Sequence, residues 1–364
     1  MRYPALSVLL VLCACQPGAP KPDPDGDKPP VSSIKDDERL ELFPSVARRD
    51  GSGAWVVPIH GWIYEPEADS VWRAKLVGEM AEAFELEPLT TENVIFRARA
   101  RRFFVDNESG KTLRVRIAGA VHDVGTSGAD GHVEGDVRLP ADAVDRACGG
   151  DAERDRLLTY QVRAKNGRTF DGAVQCLAAR GKSVVSDIDD TIKVSEVRDK
   201  KRMLRRTFLE PFEMVDGMAA AYRRWRDAGA SFHYVSASPW QLHADLAYAI
   251  EQGGFPQGSY HLKKLRLKDE TFFNLFMSPE AYKLASIEPL LAATPMRTFV
   301  LVGDSGEKDP EAYGELARRH PGQVEKIWIR DVSDEPREAE RYTKAFAGVP
   351  PERWAVFRDP KALE

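Results

Sequence analysis

The chain has 364 residues, 43% of them hydrophobic and 30% charged, with a net charge of −5. That length holds roughly two domains of about 150 residues each, and the composition supports sizeable cores in a soluble globular protein. The small negative charge gives no ground for bulk nucleic-acid binding.

Residues 1–14 read as a signal peptide. Arg2 precedes an apolar run through Leu6, Val8, Leu9, Leu10, Val11 and Leu12, too short to span a bilayer. The run ends Leu12-Cys13-Ala14-Cys15, which resembles a bacterial lipobox. Cys15 is then the residue that takes a lipid and becomes the mature N-terminus; plain secretion with cleavage nearby is the alternative. Residues 15–35 follow as a tether. Pro17, Pro20, Pro22, Pro24, Pro29 and Pro30 stand among Gly, Asp and Lys, a composition that favours a stiff, extended linker with a reach on the order of 45 Å.

Residues 40–178 alternate like a β protein. The pattern predicts strands at Trp55–Ile63, Val94–Phe104, Leu113–Val121, His132–Leu139, Leu158–Ala164 and Phe170–Leu177, with turn signals at Asn107–Gly110 and Asn166–Gly167. Val71–Leu86 carries apolar residues at helical spacing. Together these predict a small β-sandwich-like domain with one helical insertion. His60, His122 and His132 lack a paired metal-ligand spacing. Arg97, Arg99 and Arg101 alternate along an expected strand, next to Arg102, and read as a solvated basic face or as a contact for an anionic partner. Cys148 and Cys176 share this region. In an exported protein they suit a disulfide, although the sequence leaves their approach open.

Residues 180–364 change character. The apolar pair Val184-Val185 runs into Ser186-Asp187-Ile188-Asp189-Asp190-Thr191. Two acids spaced two apart at a strand end repel unless something there needs negative charge. In a D-x-D-x-T arrangement the first carboxylate is placed to attack phosphorus and the second to protonate the leaving oxygen. Thr191 is placed to tie down the turn, and a hard cation would offset the repulsion. An acidic loop facing water is the bland reading of this motif alone. The basic segment Lys200, Lys201, Arg202, Arg205 and Arg206 follows, then a helix over Met218–Ala228 and a second strand, Ser231–Val235, ending Ser236-Ala237-Ser238-Pro239-Trp240. A hydroxyl and free N–H groups there suit a phosphoryl oxygen. Ser278-Pro279-Glu280 opens a helix that carries Lys283 in its first turn, where a cation opposes the macrodipole and calls for an anionic partner. A third strand, Thr298–Val302, ends Gly303-Asp304-Ser305-Gly306-Glu307-Lys308-Asp309; a helix at Pro310–Arg319 and a fourth strand, Val324–Ile329, complete the alternation. Strands alternating with helices predict a parallel α/β sheet, whose ligands bind beyond the carboxyl ends of the strands. All three polar clusters fall at that edge.

This ordered set resembles the haloacid-dehalogenase (HAD) superfamily of aspartate-nucleophile phosphatases. The strings SDIDDTIK, FHYVSASPWQL, YKLASIEPLL and LVGDSGEKDPEAY resemble, more narrowly, the catalytic domain of the actin-patch-protein family of Mg²⁺-dependent phosphatidate phosphatases, over about residues 180–345. The resemblance implies a HAD-like Rossmannoid sheet with a minimal cap. It implies that Asp187 forms an aspartyl-phosphate and that Asp189 protonates the leaving alkoxide and then activates water. Mg²⁺ is then held by the Asp187 carboxylate, the Asp189 carbonyl and the Asp304 carboxylate, with Asp309 supporting the metal shell. Ser236 and Lys283 grip the phosphoryl oxygens. The expected substrate is phosphatidate or a related phospholipid at a membrane surface. Lys200, Lys201, Arg202, Arg205 and Arg206 are candidate headgroup contacts, or a solvated charged helix. A HAD phosphatase for soluble or macromolecular phosphomonoesters and a non-enzymatic partner-binding lipoprotein are the other classes left open.

Overall fold

The computed structural model describes residues 31–66, 78, 81, 93–149, 155–264 and 280–363. The expected signal peptide, Cys15 and residues 16–30 of the tether lie outside these residues. So does the expected helix Val71–Leu86, apart from Gly78 and Ala81. Ser32 and Ile34, at the end of the expected tether, are buried, and Ser32 N–H donates to the Arg163 carbonyl at 2.8 Å. Among the described residues no helix is long and apolar enough to cross a membrane.

The first part is a nine-stranded, mostly antiparallel sheet. Its strands are β1 (Arg39–Phe43), β2 (Ser45–Arg49), β3 (Trp55–Glu65), β4 (Asp106–Asn107), β5 (Thr112–Ile117), β6 (Ala120–Thr126), β7 (His132–Leu139), β8 (Arg156–Arg163) and β9 (Thr169–Cys176). The long β3 organises it, pairing with β1, β2, β4 and β7; β2 then pairs with β9 in parallel. The sheet curls until Gly135 of β7 lies against the Val124 carbonyl of β6, where a Cβ would collide. Trp55, Val57, Ile59, Leu113, Val115, Val137, Leu158 and Val174 fill the inside of the curl. They follow the period of two expected of strands with one face buried.

Two sequence expectations fail here. Val94–Phe104 is not a strand: Val94–Arg101 forms helix α1, capped by the Asn93 side chain, which accepts from Phe96 N–H. The buried Phe96, Ala100 and Phe103 recur at helical spacing, and the alternating arginines mask it. Arg99 is accordingly no surface residue; it is buried and donates to the Thr207 and Glu210 carbonyls at 2.6 and 2.9 Å. Leu113–Val121 is likewise two strands. Ala118 and Gly119, with φ of 49° and 80°, turn the chain between β5 and β6. Helix α2 (Ala141–Cys148) closes this part.

The second part is a six-stranded parallel sheet in the order β12-β11-β10-β13-β14-β15. The strands are β10 (Lys182–Asp187), β11 (Ser231–Pro239), β12 (Gly258–Lys263), β13 (Thr298–Asp304), β14 (Val324–Arg330) and β15 (Trp354–Phe357). Its helices are α3 (Lys200–Phe208), α4 (Met218–Asp227), α5 (His243–Gln252), α6 (Glu280–Ala293), α7 (Asp309–Arg319) and α8 (Glu340–Ala345). β10 is central, and its two valines face opposite layers: Val184 joins the core with Phe208, Tyr222, Phe232 and Trp240, whereas Val185 joins Ile287, Leu291, Leu301 and Tyr313. Strand β11 runs four residues past the expected end at Val235, to Pro239. Pro239 therefore precedes a short 3-10 turn, Trp240–Leu242, rather than opening α5. The edge strands β12 and β15 carried no clear sequence signal.

The two parts share a core. Phe43, Trp62, Tyr64, Phe96 and Phe103 of the first pack with Phe208, Trp240 and Tyr260 of the second. Glu41 of β1 accepts from His243 Nδ1 at 2.8 Å and pairs with Arg102 at 3.3 Å. His60 and His132 hydrogen-bond each other at 2.9 Å beside Trp240, and burial holds both below the ordinary histidine range, His132 at about 4.

Candidate active site

The carboxyl ends of β10, β11 and β13 lie side by side, and each delivers one polar cluster to the same edge. β10 ends at Asp187, 1% exposed. The chain then makes a tight turn. Asp190 adopts φ 52° and donates its N–H to the Lys193 carbonyl at 2.7 Å. Thr191 Oγ1 donates to Asp187 Oδ2 at 2.9 Å and fixes one oxygen of that carboxylate. Asp190 is turned inward and serves structure: its carboxylate accepts the N–H groups of Ser195, Glu196 and Val197 at 2.8, 2.8 and 2.7 Å.

The other Asp187 oxygen faces Lys283 Nζ at 2.9 Å. Lys283, in the first turn of α6, is fully buried, and it also pairs with Glu307 at 3.1 Å and with Asp309. Burial works against its charge, but these three carboxylates hold its pKa well above the ordinary value. Asp304 closes the group. Its Oδ1 accepts Gly306 N–H at 2.6 Å and its N–H donates to Asp309 at 2.9 Å. Residue 303 must be glycine, since a Cβ there would strike the Asp309 carboxylate.

Asp187, Asp304 and Asp309 each offer an oxygen within 4.8 Å of the others. Asp304 Oδ2 is buried without a hydrogen-bond partner. Burial, and then repulsion among the carboxylates, pushes Asp187 and Asp304 well above the usual carboxylate range and Glu307 up to about 7. Three buried aspartates and the half-buried Glu307 around one lysine form a site short of positive charge. Three hard carboxylate donors, one of them Asp304 with its unsatisfied oxygen, fit a divalent cation such as Mg²⁺.

Asp189 lives in a different compartment. Its Oδ2 accepts from Ser236 Oγ at 2.9 Å and Ser238 Oγ at 3.1 Å, while its Oδ1 accepts from Ser195 Oγ at 2.8 Å and pairs with Lys193 Nζ at 2.8 Å. Burial would raise its pKa, but Lys193 and the three hydroxyls bring it to about 2. Ser236 Oγ accepts Ser238 N–H at 2.9 Å, so the two serines form one small hydroxyl cradle.

All the residues expected in the site except the basic run thus meet at one edge. Sequence reasoning missed Lys193, Ser195, Ser238 and Glu307. Lys193 was legible only as the lysine closing the D-x-D-x-T-x-K string, and the serines look like ordinary turn residues. Lys200 to Arg206 form α3, capped by Asp199. Much of their charge is already met: Arg202 pairs with Glu196 at 3.1 Å, Arg205 with Glu210 at 3.7 Å and Arg206 with Glu213 at 2.7 Å. The thiols of Cys148 and Cys176 are free and lie within hydrogen-bonding contact.

A parallel α/β sheet with an acid–lysine cluster at the carboxyl ends of its strands is the architecture that the comparisons can be set against. Residues 182–331 match the family described as phosphatidate phosphatase APP1, catalytic domain. The chain is 38% identical over 159 residues to the phosphatidate phosphatase APP1 of Saccharomyces cerevisiae, covering 42% of this chain and 26% of that protein. It is 31% identical over 169 residues to an uncharacterised protein of Schizosaccharomyces pombe, covering 45% of this chain and 27% of that one. The chain therefore spans about a quarter of the length of these curated relatives.

Proposed function

We propose that the chain is a Mg²⁺-dependent, HAD-type phosphomonoesterase that removes phosphate from phosphatidate or a related phospholipid. The observation that carries this reading is the division of the two aspartates between separate environments. Asp187 sits in a cation-seeking cluster with Lys283, and Asp189 sits two residues on in a hydroxyl cradle with its own lysine.

The residues divide the reaction as follows. Thr191 and Lys283 orient the Asp187 carboxylate, whose oxygen attacks phosphorus. The phosphorus–oxygen bond to the leaving alkoxide breaks, and Asp189, ionised in the free protein, takes up a proton from solvent as substrate binds and delivers it to that alkoxide. Asp189 then takes a proton from water as the water attacks the phosphoryl-aspartate, which releases inorganic phosphate and restores Asp187. Ser236 and Lys283 grip the phosphoryl oxygens. Asp187, Asp304, Asp309 and the Asp189 carbonyl would hold Mg²⁺, which supplies charge neutralisation for an incoming phosphate when bound.

The reading extends to location. Cys15 carries a lipid after removal of residues 1–14 and holds the enzyme at the periplasmic or cell-surface face of a bacterial membrane, where effective substrate concentration is high. Two measurements test this. Phosphate release is assayed with and without Mg²⁺ on phosphatidate, lysophosphatidate, nucleotides and sugar phosphates; faster turnover of nucleotides or sugar phosphates than of any lipid overturns the substrate. Mass spectrometry of membrane-extracted protein shows a modified Cys15 at the N-terminus; an unmodified soluble chain overturns the anchor.

A further inference from the structure

Beside the reaction centre, at the same edge of the parallel sheet, lies a cavity of about 330 Å³ that the reaction above does not use. Three arginines from three places line it: Arg198 from the loop after the D-x-D turn, Arg202 from α3 and Arg330 from the end of β14. Three acids line it too, but they are committed elsewhere. Asp190 accepts three main-chain N–H groups, Asp199 caps α3 through Lys201 and Arg202 N–H, and Glu196 faces Arg202 and Arg206. Arg198 and Arg330, in contrast, meet main-chain carbonyls rather than carboxylates. Arg198 donates to the Val332 carbonyl at 3.4 Å, Arg330 Nη1 donates to the Asp190 carbonyl at 2.7 Å, and Arg330 Nε is buried with no partner. Among the described residues these two guanidiniums have no carboxylate counter-ion, one has an idle buried N–H, and both face a space large enough for a phosphate.

We propose that this cavity is an accessory anion site that takes a phosphate-type group, from a phospholipid headgroup or from a free phosphate, distinct from the phosphoryl group held at Asp187. Guanidinium forks match phosphate oxygens in geometry and charge. The site touches the catalytic turn through one bond, because the same Arg330 holds the backbone of Asp190, the residue after Asp189. Of the basic run in α3 only Arg202 lines this cavity, with Arg198 and Arg330 added from outside the run.

The test titrates inorganic phosphate into the full chain by calorimetry with EDTA present, where the uncompensated carboxylates around Asp187 repel phosphate. This arm does not depend on the protein being a phosphatase. One phosphate per chain is expected, with binding weakened about tenfold in Arg198→Gln and again in Arg202→Gln, the loss of one charge-assisted contact each. Arg358→Gln, an exposed arginine paired with Asp331, binds as wild type. Arg330→Gln is read only where circular dichroism shows it folded. A second arm sediments the proteins with phosphatidylcholine vesicles containing or lacking phosphatidylglycerol. Loss of phosphatidylglycerol-dependent binding in Arg198→Gln assigns the site to a lipid headgroup; loss of phosphate binding alone assigns it to a free phosphate. Unchanged binding of both probes in Arg198→Gln and Arg202→Gln overturns the proposal, as does the absence of any phosphate binding to the wild type together with vesicle binding that ignores phosphatidylglycerol.

Discussion

Asp187 and Asp189 stand two residues apart, and their surroundings drive them in opposite directions: burial and the neighbouring acids push Asp187 up, while Lys193 and three hydroxyls hold Asp189 at about 2. Two predictions follow at this scale. Asp187→Asn removes the attacking oxygen, so phosphate release falls on the order of a thousandfold or more while circular dichroism is unchanged; retained turnover would end the aspartyl-phosphate reading. Lys193 is 2% exposed and Asp189 is its carboxylate partner. Lys193→Met leaves the half-buried Asp189 carboxylate with hydroxyl donors but no cation and costs about 3 kcal/mol in chemical denaturation. Asp189→Asn combined with Lys193→Met recovers most of that loss, because both charges are then gone. Additive losses in the double variant would show that the pair does not couple. The D-x-D, serine, lysine and acid clusters were legible because each ends or opens an element, where chemistry breaks the hydrophobic pattern. Lys193, Ser195 and Ser238 were not legible. Their role depends on the Asp190 turn folding the chain back on Asp189, and no local pattern encodes that contact.

At the scale of elements, the loop that carries Ser236 and Ser238 is held from outside its own sheet. The turn after it, Trp240–Leu242, packs on Phe43 of β1 with ring centroids 4.2 Å apart, and Arg102 donates to the Gln241 carbonyl at 3.3 Å. Glu41 secures both Arg102 and His243. Burial would raise its pKa, but Arg102 and His243 bring it below the ordinary 4.5. A depressed carboxylate contributes stability above its unfolded pKa and loses it as pH falls through the folded value. Glu41→Gln is therefore expected to cost about 1–3 kcal/mol at pH 7, and the gap from wild type narrows as pH drops below 4.5. Thermal melts of both proteins at pH 7 and in the acid range check this; a gap constant across that range would remove Glu41 as the cause. The same scale explains what the sequence hid. α1 was read as a strand because Arg97, Arg99 and Arg101 alternate, although Phe96 and Ala100 mark a helical face that packs on Phe208 of α3. β15, Trp354–Phe357, escaped because four residues are too few to show a period, and β12 because Gly258, Ser259 and His261 interrupt its apolar pattern. Cys148 and Cys176 lie in contact as free thiols, and a bridge between them stays an expectation for the exported protein. It would close a loop of about 27 residues, contributing roughly 3–4 kcal/mol by chain entropy. Non-reducing mass spectrometry of the exported protein should find it; free thiols under oxidising conditions would dismiss it.

Across the whole molecule, the boundary near residue 180 that the sequence suggests between a β-rich and a catalytic part is a boundary of chain path and not of packing. Phe43, Trp62, Tyr64, Phe96 and Phe103 are buried among residues of the catalytic part. Arg297, 1% exposed, ties the joint: it pairs with Asp155 and donates to the Ala178 and Lys182 carbonyls. Burying a large apolar side chain contributes about 1.5–3 kcal/mol, so five aromatic rings at this seam amount to on the order of 10 kcal/mol, comparable with the whole stability of a typical domain, about 5–15 kcal/mol. The catalytic part therefore needs the β-rich part to fold. Residues 31–364 are expected to unfold in one cooperative step by calorimetry, with calorimetric and van't Hoff enthalpies equal. Residues 180–364 alone are expected to be aggregated or molten, since Phe208, Leu209 and Trp240 would lose their cover, and to bind dyes that report exposed apolar surface. Neutralising the seam with Phe43→Ala should lower the midpoint of the whole protein without splitting the transition. A fragment 180–364 that melts cooperatively within a few degrees of the full chain, or two separate transitions in the full chain, would show that the shared core does not couple the two parts.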